Sequence, residues 1–163
     1  VETVRRNVAA VNPKAIIVDA ASPVSVDNPG MIRGKRVLVV EDGPTLTHGG
    51  MGYGAGVVAA HKFGAASLVD PRPFAVGSIV DTLSRFHHHE PLLPAMGYSK
   101  RQVQELEKTI DNSDAEVVVI GTPIDLRRVL KIDKPAVRVG YELEQTAGPD
   151  LKQILLKEFA RKS

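Results

Sequence analysis

Short apolar runs alternate along this chain with segments that have helical periodicity. Four of the runs have the length and the β-branched composition of buried strands, and they lie at residues 37–40, 66–69, 116–120 and 136–139. Helical patterns occupy much of the remaining sequence, at 55–63, 77–86, 99–110, 125–130 and 149–159. Strands that alternate with helices are typical of a mostly parallel sheet with helices on both faces. The pattern therefore predicts an α/β fold, a Rossmann-like three-layer sandwich.

Residue types at the predicted helix ends support this assignment. Ser99 and Gln102 form a capping-box sequence at the start of the helix predicted over 99–110. Asp125 is placed to cap a short helix, and Pro149 to open the last one. If the strands are parallel, the loops at 41–55, 70–76 and 121–125 share one edge of the sheet.

The first 30 residues have a different organisation. Val4, Val8 and Val11 have helical spacing, and the apolar run at 15–20 predicts a strand. A segment rich in proline and glycine follows at 22–34 and indicates a linker. We therefore assign residues 1–30 to the end of a preceding domain plus its linker, and 31–163 to a C-terminal α/β domain. The first 21 residues should pack as an appendage, outside the centre of the main sheet.

Composition narrows the functional classes. The chain has no cysteine, which is typical of the reducing cytoplasm, and its net charge is only +2. Aromatic residues make up 4% of the sequence, with no tryptophan, so few side chains could stack on bases. No apolar run approaches the roughly 20 residues that span a bilayer. We expect a cytoplasmic protein that binds neither nucleic acid nor membrane.

A glycine-rich loop, residues 41–56, lies between a predicted strand and a predicted helix. Glycines let backbone amides approach an anion closely, and a helix N-terminus favours negative charge, so phosphate is the expected ligand. The alternative is a flexible surface loop. The loop lacks the Lys-Ser or Lys-Thr pair of a Walker A sequence, and its glycines do not fit a dinucleotide fingerprint.

Ionisable residues flank these glycines. Carboxylates beside an anion site indicate a metal, a cation or a transferred proton. Asp42 and His48 are therefore the candidate catalytic residues, and Glu41 and Asp42 the candidate Mg²⁺ ligands. In the alternative interpretation Asp42 caps the turn and His48 is solvated or hydrogen-bonded. Metal binding by the histidines at 87–89 is disfavoured, because adjacent side chains cannot all face one ion.

Arginines in the other loops could neutralise a phosphorylated ligand. Arg72 lies between two prolines after a predicted strand, whereas Arg128 and Arg138 could equally be solvated or ion-paired. The predicted phosphate- and substrate-binding residues are Gly43, Thr45, Thr47, Gly49, Gly50, Gly52, Gly54, Arg72 and Arg127.

Four longer sequences go beyond these general features. They are VEDGPTLTHGGMGYGAGVVAA, FGAASLVDPRPFAVGSI, LPAMGYS and VVVIGTPIDLRRVLKIDKPAVRVGYELE. In this order they resemble the C-terminal part of the cyclic 2,3-diphosphoglycerate synthetase family and of bacterial relatives described as predicted GTPases. The resemblance runs from residue 1 to about 159. It implies ATP-dependent closure of a phosphoanhydride within 2,3-diphosphoglycerate, with Mg²⁺.

The same resemblance assigns roles to the chain ends and partners. The first helix and AIIVDAASP resemble the last helix and strand of a P-loop NTPase core, which places Ala21 and Ser22 near the nucleotide base. The P-loop itself would belong to a missing N-terminal half, which would bind ATP or GTP and deliver the phosphoryl group to a phosphorylated small molecule such as 2,3-diphosphoglycerate. The alternative is an interaction, lid or dimerisation module without cyclase activity, which would make a homodimer.

Overall fold

The structure is a computed structural model that describes residues 1–43, 52–85, 90–97 and 99–160. The chain divides into two compact units. The larger unit comprises Val24–Gly140, and the smaller unit combines the two chain ends, Val1–Pro23 and Tyr141–Ser163. The segment predicted to be an appendage thus belongs to the smaller unit, together with the last helix.

Six strands form the sheet of the larger unit. They are β2 (Val24–Val26), β3 (Arg36–Asp42), β4 (Ser67–Leu68), β5 (Leu93–Ala95), β6 (Val117–Ile120) and β7 (Ala136–Tyr141). The order across the sheet is β2-β7-β6-β3-β4, and β5 pairs with the carboxyl end of β3. The pairs β3/β4, β3/β5, β3/β6 and β6/β7 are all parallel. The predicted α/β fold with a mostly parallel sheet is confirmed.

Helices cover both faces of this sheet. They are α2 (Ala55–Lys62), α3 (Ser78–Arg85) and α4 (Lys100–Asn112), with short 3-10 helices at Pro29–Met31, Arg72–Phe74 and Leu126–Arg128. Side chains alternate between the faces of a strand. In β3, Leu38 and Val40 pack with α3 and α4. Val37 and Val39 pack with α2 on the opposite face. The core is therefore split into two layers by a buried sheet.

The predicted caps explain where two helices begin. Ser99 accepts a hydrogen bond from the amide of Gln102, and the Gln102 side chain accepts one from the amide of Ser99, which completes the capping box of α4. The Asp125 carboxylate accepts a hydrogen bond from the amide of Arg127 at the start of the third 3-10 helix. These local signals were sufficient because both partners lie within three residues.

Two predicted features differ from the structure. The strand predicted at 15–20 is shifted along the chain: only its last two residues belong to the observed strand, β1 (Asp19–Ala21), in the smaller unit. The predicted linker at 22–34 contains β2, which joins the edge of the main sheet. In both places the pairing partner decides where the strand lies: β2 pairs with β7, and β1 pairs with the strand at Glu144–Ala147.

The smaller unit contains α1 (Glu2–Val11), β1, β8 (Glu144–Ala147) and α5 (Leu151–Ala160). Strands β1 and β8 form an antiparallel two-stranded sheet. Arg5 on α1 makes an ion pair with Asp19 on β1. Gly148 follows β8 with a φ of 91°, and a side chain there would lie 2.8 Å from the Ile17 carbonyl oxygen. Within the described residues, no helix is long and apolar enough to cross a membrane.

Candidate functional site

Loops after three parallel strands begin at the carboxyl edge of the larger sheet. Since β3, β5 and β6 run in the same direction and β5 and β6 reach the last residues of β3, the segments after Asp42, Ala95 and Ile120 leave from this edge. Strand β4 pairs only with the first two residues of β3, so the segment after Leu68 leaves beside the start of β3. The loops predicted at 41–55 and 121–125 therefore start from one edge, and the loop at 70–76 starts elsewhere. In open α/β sheets this edge is where ligands bind.

Glu41 is the central ionisable residue of this edge. It continues the series of Val37 and Val39, so its side chain lies on the face covered by α2, at the point where that helix begins. Its carboxylate accepts hydrogen bonds from the amides of Val57, at 3.0 Å, and of Gly54 and Gly56. Only 2% of Glu41 is exposed. A strand carboxylate therefore caps the N-terminus of the helix that follows it.

Three glycines make room for this carboxylate. A Cβ on Gly54 would lie 2.5 Å from Glu41 Oε2, and one on Gly56 would lie 2.7 Å from Val39 Cγ1. A Cβ on Gly121, directly after β6, would overlap Glu41 Oε2 and lie 2.8 Å from the Gly56 amide nitrogen. The absence of side chains at these positions allows the ends of β3, β6 and α2 to meet around Glu41.

Burial dominates the protonation of Glu41. Removal of the carboxylate from water raises its pKa to about 7, and the negative charge of Asp42 acts in the same direction. The three amide hydrogen bonds lower the pKa but only partly offset the burial. Near neutral pH the group is divided between a carboxylic acid and a carboxylate, so it can hold or release a proton.

These surroundings do not suit Glu41 as a Mg²⁺ ligand. Mg²⁺ requires oxygen ligands in octahedral geometry, whereas Glu41 is surrounded by N–H donors and closely packed glycines. In the described part of the chain, no group of three or more histidine, aspartate or glutamate side chains could hold a metal ion. Asp42, half-buried at the end of β3, keeps its predicted catalytic and metal-binding roles as predictions.

A second carboxylate occupies the start of α3. Glu105 on α4 accepts hydrogen bonds from the hydroxyl and the amide of Ser78 and from Arg101. These contacts, the Ser78 hydroxyl first, lower its pKa to about 2. Carboxylates of the chain itself therefore accept hydrogen bonds from backbone amides at the N-termini of α2 and α3, and the amides bound in this way are not available to a ligand.

The arginines predicted to bind substrate both have carboxylate partners; Arg127 follows β6 at this edge, and Arg72 follows β4. Arg127 donates to Asp125 at 2.9 Å and to Asp27 at 2.6 Å, and these contacts raise its pKa. The Arg127 contacts lower the pKa of Asp125. Arg72 lies 3.3 Å from the Asp70 carboxylate. The edge thus presents paired charges of both signs.

The remaining predicted residues differ in burial, and several lie outside the described part of the chain. Gly43 is buried, and a Cβ there would overlap the Met96 sulfur and lie 2.6 Å from the Ala95 carbonyl oxygen, so Gly43 packs against the end of β5 and the residue after it. Gly52 is half-buried near the start of α2, and Ala21 and Ser22 are exposed in the smaller unit. The predicted residues outside the described part of the chain are Thr45, Thr47, His48, Gly49 and Gly50, and the histidines at 87–89 also lie there.

Sequence reasoning missed several residues that shape this edge. Asp27 lies in the segment predicted to be a linker, 100 residues before Arg127, and no local pattern connects them. Gly121 follows an apolar strand directly, a position where close backbone approach is common, and this signal could have identified it. Glu105 has the ordinary spacing of an exposed i, i+4 pair with Arg101, so its burial was not predictable.

Comparison with known proteins identifies one long match. The chain is 59% identical, over 161 residues, to a protein named arginine synthetase ArcE from Thermococcus kodakarensis. The match covers 99% of this chain but 36% of that protein. The chain is similar to part of a synthetase. No protein-family profile matches it, and neither does any solved structure.

Proposed function

We propose that this chain is the α/β portion of a nucleotide-dependent synthetase whose product is arginine. The proposal rests on the 59% identity, which extends over 99% of the chain. Because the chain spans only 36% of that relative, the activity would belong to a longer enzyme to which this portion contributes a substrate-binding edge.

Paired charges at the carboxyl edge support an amino-acid substrate. A multiply charged phosphoester needs cations that can neutralise it, but Arg72 and Arg127 already contact carboxylates. An amino acid carries both an ammonium and a carboxylate, so it can exchange with both members of such pairs. Arg127 would then hold the substrate carboxylate, and Asp27 or Asp125 its cationic group.

Glu41 and Asp42 would have separate roles in this enzyme. Glu41 fixes the start of α2 and thereby positions the adjoining end of the glycine-rich loop. Asp42 follows it at the strand end, where a carboxylate could accept a proton from an attacking nitrogen. His48 remains the alternative base.

A nucleoside triphosphate, ATP or GTP with Mg²⁺, would transfer its terminal phosphoryl group to an oxygen of the substrate and leave as the diphosphate. The attacking nitrogen would then displace this oxygen from carbon as phosphate. The sequence contains no Walker A motif, and among the described residues Glu41 occupies the amides at the start of α2 that a nucleotide phosphate could otherwise use. The nucleotide would be held by the rest of the enzyme, which corresponds to the P-loop half expected from the sequence.

Cyclisation of 2,3-diphosphoglycerate is the second candidate function. It is favoured by the four sequences that resemble the cyclic 2,3-diphosphoglycerate synthetase family, and it would use the phosphate-binding residues predicted in the glycine-rich loop. An interaction, lid or dimerisation module is the third, and it would need no charge pairing at the edge.

A chimaeric enzyme tests these alternatives. This chain would replace the matched region of the Thermococcus kodakarensis arginine synthetase, and arginine formation would be measured with ATP and with GTP. We expect arginine formation to persist. A folded chimaera that makes no arginine would contradict the proposal, and closure of 2,3-diphosphoglycerate by that chimaera would establish the second candidate.

Substitution of Arg127 tests the binding edge in the same chimaera. Arg127→Ala should lower kcat/KM for the amino-acid substrate by about 10- to 100-fold, the usual effect of losing hydrogen bonds to a charged group. Arg128→Ala removes the same charge from the neighbouring exposed residue and should change kcat/KM by less than about twofold. If both substitutions changed kcat/KM equally, Arg127 would not be a substrate-binding residue.

A further inference from the structure

The smaller unit has no buried core of its own. Among its described residues, 1–23 and 141–159, none is buried. It nevertheless has two helices and a pair of strands. Two-stranded sheets are marginal in water unless they pack against further structure, and helices of this length depend on packing. The secondary structure of this unit therefore needs a covering surface.

Several large apolar side chains of this unit are exposed, on both helices and just before β8. Phe159 and Leu156 on α5 are 68% and 56% exposed, and Leu143 beside β8 is 68% exposed. On α1, Val4 and Val11 are 64% and 87% exposed. Exposed apolar groups of this density mark an interaction surface rather than ordinary protein surface.

A groove lies within this apolar surface. Its volume is about 430 Å³, and its apolar lining consists of Leu143, Leu151, Leu155 and Leu156. Asp150 and Lys152 supply one charge of each sign at the groove, so the surface has no net charge that would select an acidic or a basic partner. The groove suits an apolar helix or strand with a polar margin.

We propose that this surface packs against the part of the synthetase polypeptide that lies outside the chain, and that the two together form one domain core. Nearly two thirds of the arginine synthetase from Thermococcus kodakarensis lies outside the match. Both ends of the chain belong to the smaller unit, so polypeptide joined to either end starts from this unit. Covalent connection makes the contact intramolecular and raises the effective concentration of the partner. The inference rests on the length of the Thermococcus kodakarensis enzyme and does not depend on whether this chain belongs to an enzyme that makes arginine.

Hydrogen exchange tests the inference without an activity assay. In the isolated 163-residue chain, amides of 2–11 and 151–159 should exchange within minutes, and in the chimaera they should be protected about 100-fold or more. The Thermococcus kodakarensis enzyme provides a second measurement, because its segments aligned with 2–11 and 151–159 should be equally protected. Absence of protection in the natural enzyme would overturn the inference.

A matched pair of substitutions locates the surface. Leu156→Asp should lower the melting temperature of the chimaera by about 5 °C and restore fast exchange in 151–159. Val80→Asp introduces the same charge on α3 of the larger unit, at a residue that is 49% exposed. It should change neither the melting temperature nor the exchange rates of 151–159. A concentration-dependent dimer of the isolated chain with protected 151–159 would assign the surface to a second copy instead. Protection in the monomeric isolated chain would also overturn the inference.

Discussion

The free energy of unfolding of the wild-type chain is expected to fall by about 3 kcal/mol between pH 4.5 and 8, and replacement of Glu41 by glutamine should abolish this fall. The ordinary pKa of a glutamate is 4.5, and burial raises the pKa of Glu41 to about 7 in the folded chain. Between these values the folded chain holds one more proton than the unfolded chain, so rising pH favours unfolding. The stabilising effect is complete below pH 4.5 and is lost as the pH rises through 7.

The measurement is urea denaturation at intervals from pH 4.5 to 8, with the difference between the wild-type and variant free energies of unfolding as readout. All other ionisable groups are common to both proteins, so the difference isolates the effect of residue 41. Glu105→Gln is the control. The pKa of Glu105 is about 2, so its protonation changes the free energy of unfolding only below pH 4.5, where acid removes stability. A wild-type profile parallel to that of Glu41→Gln would show that Glu41 is solvated.

The second large effect is expected for Gly121→Ala, which should lower the free energy of unfolding by about 3 kcal/mol. The added methyl group would overlap Glu41 Oε2 and approach the Gly56 amide nitrogen to 2.8 Å. Overpacking typically costs 1–3 kcal/mol, and here the carboxylate cannot move without losing its amide hydrogen bonds. Urea denaturation at pH 6 measures the change.

Two controls separate crowding around Glu41 from general intolerance of glycine replacement. Gly140→Ala lies in β7, where the added Cβ would be 3.3 Å from the Ser25 hydroxyl, a side chain that can rotate, so the cost should stay below about 1 kcal/mol. In a Glu41→Ala background, the cost of Gly121→Ala should be smaller, because the overlap with the carboxylate is gone and only the approach to the Gly56 amide nitrogen remains. An undiminished cost in that background would refute the contact.

The central architecture was predictable because its signals are local. The apolar runs of β3 and β6 and the capping box of α4 each lie within a few residues, and they identified a parallel sheet in which the loops after β3 and β6 share one edge. The role of Glu41 was not predictable: its partners Gly54, Gly56 and Gly121 come from other elements, and only the folded chain brings them to the strand end. Sequence reasoning therefore identified it as a metal ligand.

The same limit explains the remaining differences at the edge. Glycines at 54 and 56 were interpreted as an anion-binding loop, and the structure directs their amides to a carboxylate of the chain itself, so local composition identified an anion site but not its occupant. The ion pair of Asp27 with Arg127 depends on β2 pairing with β7, which a segment rich in proline and glycine did not indicate.

The central position of β3 has a consequence during synthesis of the chain. Its first residue, Arg36, is hydrogen-bonded to Glu116, 80 residues further on, at the start of the strand that covers one of its edges. At 5–20 residues per second, a ribosome needs roughly 4 to 16 s to make that partner. Throughout this interval the run RVLVV has an open edge, and an unpaired apolar strand is a template for pairing with other polypeptides.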